Sequence, residues 1–136
     1  MNAPAPGQPA VSTALVVDDE PDLAWALQQN LLLDGWQVLV APTGGDAITQ
    51  AMTIPLQVAF VDAKLPDMDG IEVLRRIGEL QPGVTLVLVS GYYYAEDPEV
   101  REAQRQGLIV HFIAKPFDLS EISSLARNAA EQVRTT

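Results

Sequence analysis

Five short stretches of the chain are almost wholly apolar: Thr13–Val17, Trp36–Ala41, Val58–Val61, Val84–Val89 and Leu108–Ala114. Runs this short with no polar alternation predict strands buried on both faces, the habit of a parallel sheet covered by helices. Between them, apolar residues recur at helical spacing. Leu23, Trp25-Ala26-Leu27 and Leu31-Leu32 form one such face, Ile71, Val73-Leu74 and Ile77 a second, and Leu119, Ile122, Leu125-Ala126 and Val133 a third. Thr43 reads as the N-cap of a further helix to about Thr53, the weakest of the set because Gly44 and Gly45 occupy its first turn. Asp97-Pro98-Glu99 opens another, which Gly107 ends. Asp34-Gly35 and Gln81-Pro82-Gly83 are stop signals, and Asp118 with Glu121 has the spacing of a capping box. The expected fold is α/β: a five-stranded, doubly wound parallel sheet, βα repeated five times, with helices on both faces. Trp25 and Trp36 are expected in its core, and His111, the only histidine, as a satisfied interior imidazole.

Composition narrows the class. At 136 residues the chain has the size of one domain, and 48% hydrophobic against 19% charged residues suits an ordinary globular core. Residues 1–12, with three prolines among the first ten, read as a disordered arm, and 13–134 as the domain. No cysteine is present, which excludes disulfides, thiolate metal sites and a cysteine nucleophile. Eighteen acidic against eight basic residues give a net charge of −10, which argues against nucleic-acid binding. No apolar run approaches a membrane span and no basic start leads into an apolar signal core, so no membrane association and a cytoplasmic location are expected.

The chemistry gathers at strand ends. Asp18-Asp19 follow the first strand, Asp62 ends the third, Ser90 the fourth, and Lys115 follows the fifth. In a parallel sheet these all project from one edge, so residues distant in sequence meet. Clustered carboxylates repel unless a cation lies among them, and Mg²⁺ binds through one or two carboxylates while keeping positions for phosphate oxygens. A carboxylate beside such an ion can accept a phosphoryl group, with an ammonium and a hydroxyl neutralising its oxygens. Each residue alone has a plainer reading as a helix cap, turn residue or solvated lysine. Their joint occurrence favours the site.

With these residues in view, the chain resembles the receiver domain of two-component response regulators. Val-Val-Asp18-Asp19-Glu-Pro, Val-Asp62 with Leu65-Pro-Asp-Met-Asp-Gly70, Val-Ser90-Gly91 and Lys115-Pro116-Phe117 carry the resemblance, which spans about Thr13 to Val133. It implies a flavodoxin-like fold and a domain that takes a phosphoryl group from a histidine kinase or histidine phosphotransfer protein onto Asp62. Such a domain catalyses only its own phosphorylation and dephosphorylation, and passes a conformational signal to an effector domain or downstream protein outside this chain. It further implies Mg²⁺ held by Asp18, Asp19, Asp62 and the Lys64 carbonyl, with Asp18 acting through water. Lys115 and Ser90 would be catalytic, Ser90 and Phe112 a switch pair, and the Lys115–Pro116 peptide cis. Lys64 and Tyr92 would tune phosphoryl lifetime, and a phosphorylation-dependent homodimer is left open.

Other readings compete. A phosphatase of the haloacid dehalogenase type would need a second carboxylate where Lys64 stands. A nucleotide-binding domain would need a glycine-rich loop after the first strand, and none is visible. A phosphorylation-independent interaction module could share the fold. Tyr92-Tyr93-Tyr94 fits either partial burial or a partner-docking patch.

Overall fold

The computed structural model describes residues 12–91, 96–109 and 111–135, with no side-chain description beyond residue 130. The disordered arm expected for the first residues, and the Tyr92-Tyr93-Tyr94 run, lie outside the described residues. Strands and helices alternate five times: β1 Thr13–Val17, α1 Pro21–Leu33, β2 Gln37–Ala41, α2 Gly44–Ala51, β3 Val58–Asp62, α3 Gly70–Leu80, β4 Thr85–Ser90, α4 Pro98–Arg105, β5 His111–Ala114 and α5 Leu119–Thr135. The named strands all pair in parallel and the sheet order is β2-β1-β3-β4-β5. The expected five-stranded doubly wound sheet is therefore present.

Burial explains why the inner strands carry no polar alternation. Every residue of β1, β3 and β4 is buried, whereas the edge strands β2 and β5 are covered only in part. Alternate residues feed two cores, as the two-residue period of a strand requires. Leu15, Val17, Ala59, Val61, Leu86 and Leu88 pack with Ala47 of α2, Val73, Leu74 and Ile77 of α3 and Val100 of α4. Ala14, Val16, Val58, Phe60, Val87 and Val89 face the other way, onto Leu27 and Leu31 of α1 and Ile122 and Ala126 of α5.

Local signals set the element ends. Pro21 and Pro98 stand in the first turns of α1 and α4. The Thr43 hydroxyl accepts the Asp46 N–H at 3.1 Å, and the Asp69 carboxylate accepts the Ile71 N–H at 2.8 Å. Gly35 and Gly107 turn the chain at φ +87° and +76°, a region L side chains rarely adopt. Three expectations need correction. Trp25 is 63% exposed on the outer face of α1, while Trp36 is buried at 6%; α1 is apolar on most of its circumference, so spacing alone did not choose its inner face. His111 is half-buried in the edge strand rather than interior. β5 is also shorter than the apolar run: the Leu108 N–H closes α4 on the Ala103 carbonyl at 2.9 Å, and Ile109 is buried ahead of the ladder.

Candidate functional site

Strand order reverses between β1, which leads outward to β2, and β3, which leads to β4 and β5. The connections that leave neighbouring strands at such a point run to opposite faces of the sheet, here α1 to one and α3 to the other, and leave a crevice, the usual location of ligands in this architecture. Asp18 leaves β1 and Asp62 ends β3 on the two sides of that crevice. Both are buried, at 3% and 7% exposure.

Lys115 reaches in from the end of β5. Its Nζ lies 3.3 Å from Asp62 Oδ1, 3.7 Å from Asp18 Oδ2 and 3.5 Å from Glu20 Oε1. The Lys115 N–H donates to the Ser90 carbonyl at 2.9 Å, and the following Lys115–Pro116 peptide is cis, as expected. Ser90 ends β4 at 1% exposure. Phe112, half-buried in β5, packs against the core beneath α2, α3 and α4.

Burial dominates the electrostatics of the two aspartates. Desolvation pushes the carboxyl of Asp62 above its ordinary range, opposed by Lys115 and reinforced by Asp19 and Glu20. Asp18 is raised for the same reason, tempered by the Glu20 N–H, which donates to its carboxylate at 2.9 Å, and by Lys115. Burial pulls the Lys115 ammonium downward, but Asp18, Asp62 and Glu20 together outweigh it and its pKa is raised. Carboxylates that are costly to ionise and an ammonium held among them make a site that would accept a cation and then an anion.

Carboxylate oxygens of Asp18, Glu20 and Asp62 lie within 4.8 Å of one another, close enough to hold one metal ion. Oxygen donors with net negative charge fit a hard divalent cation such as Mg²⁺. Asp19 is exposed, yet its charge reaches Asp62. Lys64 is exposed two residues beyond Asp62 and forms an antiparallel bridge with Asp69. Tyr92 lies outside the described residues.

Residues 14–127 match the family model of the response regulator receiver domain. The chain belongs to that family. This receiver domain is 36% identical over 118 residues to the probable transcriptional regulatory protein TcrX of Mycobacterium tuberculosis, covering 87% of this chain and 48% of the relative. It is 31% identical over 108 residues to sporulation initiation phosphotransferase F of Bacillus subtilis, covering 79% of this chain and 85% of that protein. A CheY-like receiver domain from Methanospirillum hungatei superposes with a TM-score of 0.83 at 26% identity, over 93% of this chain and 100% of that one. The receiver domain thus spans about half the length of the first transcriptional regulators it matches. Its family works in two-component signalling. Among the described residues, no helix is long and apolar enough to cross a membrane.

Sequence reasoning missed Glu20, which it gave no part in the site. Three consecutive acids after a strand were the available signal. It also missed Asp67, whose carboxylate accepts the Gly44 N–H and the Gly45 N–H, each at 2.9 Å. The two glycines read as a weakness of α2 are therefore where the loop after Asp62 attaches.

Proposed function

We propose that Asp62 is the phosphoacceptor of a two-component pathway, taking its phosphoryl group from the phosphohistidine of a partner kinase or phosphotransfer protein in a Mg²⁺-dependent reaction. The meeting of Lys115 with Asp62, Asp18 and Glu20, at 3.3 to 3.7 Å, carries this reading. One oxygen of the Asp62 carboxylate attacks phosphorus, and the bond from phosphorus to the donor imidazole nitrogen breaks. The imidazole leaves with the electron pair. Lys115 neutralises charge on the phosphoryl oxygens and the Ser90 hydroxyl donates to one of them. Attack of water on the aspartyl phosphate releases inorganic phosphate and regenerates the carboxylate.

Asp18, Asp19, Asp62 and the backbone carbonyl of Lys64 are the residues that would hold Mg²⁺, Asp18 through water, with Glu20 adding negative charge at the rim. When bound, the ion offsets the charge that otherwise keeps an anionic phosphoryl group from a carboxylate. Movement of Ser90 toward the phosphoryl group vacates space that Phe112 fills by packing, shifting the β4–β5 face between two arrangements that an effector reads. The domain is a signalling phosphoacceptor, without turnover of an external substrate.

Intact mass after incubation with acetyl phosphate and MgCl₂ tests the proposal. One added phosphoryl group, lost with EDTA and absent from Asp62→Asn, is the expected result. No adduct, together with no binding of beryllofluoride, overturns it in favour of a phosphorylation-independent module.

A further inference from the structure

Resting on the Mg²⁺ reading above, we propose that Asp67 is a positioning residue for the Lys64 segment of the metal site, locking the tip of the β3–α3 loop onto helix α2. The loop from Asp62 to Gly70 is fastened twice. At its base the Gly70 N–H donates to the Ala63 carbonyl at 2.8 Å, and Lys64 bridges Asp69. At its tip the Asp67 carboxylate accepts the first two N–H groups of α2, Gly44 to Oδ1 and Gly45 to Oδ2, both at 2.9 Å. The two amides hold the Asp67 carboxyl below its ordinary range.

The adjoining side chain closes the same joint. A Cβ at Gly44 would stand 2.5 Å from Met68 Cγ and 2.8 Å from Val73 Cγ2, so Met68 occupies the space a side chain there would need. Glycine at 44 lets the loop tip lie flat on the helix. Thr43 accepts only the Asp46 N–H, at 3.1 Å, and Asp67 takes the Gly44 and Gly45 amides that it leaves. Two devices at one helix end divide the work. Thr43 belongs to the helix, and Asp67 ties the helix to the loop that follows the phosphoacceptor.

Lys64 belongs to the closed base and the clamped tip lies three residues on, so both fastenings bear on the direction of its carbonyl before a cation arrives. Groups that orient metal ligands from outside are typically worth 10–100-fold in affinity. Because Asp67 is exposed, the low end of that range applies.

The test follows amide shifts of the ¹⁵N-labelled full chain as MgCl₂ is added, for wild type, Asp67→Ala, Asp67→Asn and Thr43→Ala. Asp67→Ala is expected to weaken Mg²⁺ binding roughly tenfold. Asp67→Asn, which keeps one acceptor oxygen, should lose less, and Thr43→Ala should lower thermal stability while leaving Mg²⁺ affinity unchanged. Wild-type affinity in Asp67→Ala overturns the inference alone, as does equal weakening by Thr43→Ala, which would make Asp67 a helix cap and nothing more. Absence of a saturable shift in the wild-type arm overturns the metal reading and this inference together.

Discussion

Gly70 stands so close to Asp62 that a Cβ at position 70 would lie 2.1 Å from the Asp62 carbonyl oxygen and 2.8 Å from Ala63 Cα. The start of α3 is thus in backbone contact with the strand end that bears the Asp62 carboxylate.

Gly70→Ala has no side-chain neighbour to displace, only backbone. It is expected to destabilise the domain by about 3 kcal/mol, seen as a lower urea midpoint at unchanged slope, and to slow labelling of Asp62 by acetyl phosphate. Gly83→Ala, where the new methyl meets nothing within 4 Å, is the reference substitution and should leave both unchanged.

The raised pKa values of Asp18 and Asp62 fix the sign of a pH effect. The folded state binds these protons more tightly than the unfolded chain, so the contribution favours folding below the ordinary carboxylate value of about 3.9. It is lost as pH rises through the folded pKa. At neutral pH without Mg²⁺, Asp62→Asn should therefore raise the melting temperature, by roughly 3 °C for a gain of ~1 kcal/mol, and the advantage should shrink toward pH 4. Melting curves in EDTA across that interval decide it, and a destabilised Asp62→Asn at pH 7 would refute the argument. Asp67, whose pKa is lowered, contributes with the opposite sign: present above the ordinary value, lost as pH falls through its folded pKa.

Gln81 ties three segments together. Its Oε1 accepts the Leu56 N–H at 2.7 Å, and its Nε2 donates to the Ala51 and Ile54 carbonyls at 2.8 and 2.7 Å. Gln81→Leu leaves those backbone groups without partners and should cost about 2 kcal/mol by chemical denaturation. Because the contact lies at the end of the sheet remote from Asp62, phosphorylation by acetyl phosphate should proceed at the wild-type rate in the folded fraction.

Phosphoryl lifetime should depend on Lys64, exposed two residues after Asp62, and on Tyr92, two after Ser90. With a cationic residue at one of these sequence positions and a bulky one at the other, attack of water on a phosphoryl group at Asp62 is expected to be hindered or redirected. Lys64→Asn combined with Tyr92→Ala is expected to hydrolyse its phosphoryl group several-fold faster, measured by loss of label after removal of the donor. An unchanged rate would remove both residues from the account.

The strands, their burial and the residues at their ends were legible because a buried parallel sheet writes itself as uninterrupted apolar runs, and the chemistry must stand where those runs stop. Residues whose role is a long-range hydrogen bond were not legible. Gln81 looked like a helix stop and Asp67 only like part of the loop after Asp62, since a partner 22 to 30 positions away leaves no local trace. Trp25 was misplaced for a different reason: when a helix is apolar on most sides, periodicity no longer selects a face. Ile109 shows the converse limit at β5, because an apolar residue records burial and not strand pairing.

The turns at Gly35, Gly83 and Gly107 precede β2, β4 and β5 and so lie at the edge of the sheet opposite the carboxylates, and a Cβ at any of the three would meet nothing within 4 Å. Exposed turns with this much room tolerate insertions and relocated chain ends. An engineer building a phosphorylation sensor from this domain has, at Gly83, a position for a fluorophore or a permuted terminus that leaves the reacting edge as it is.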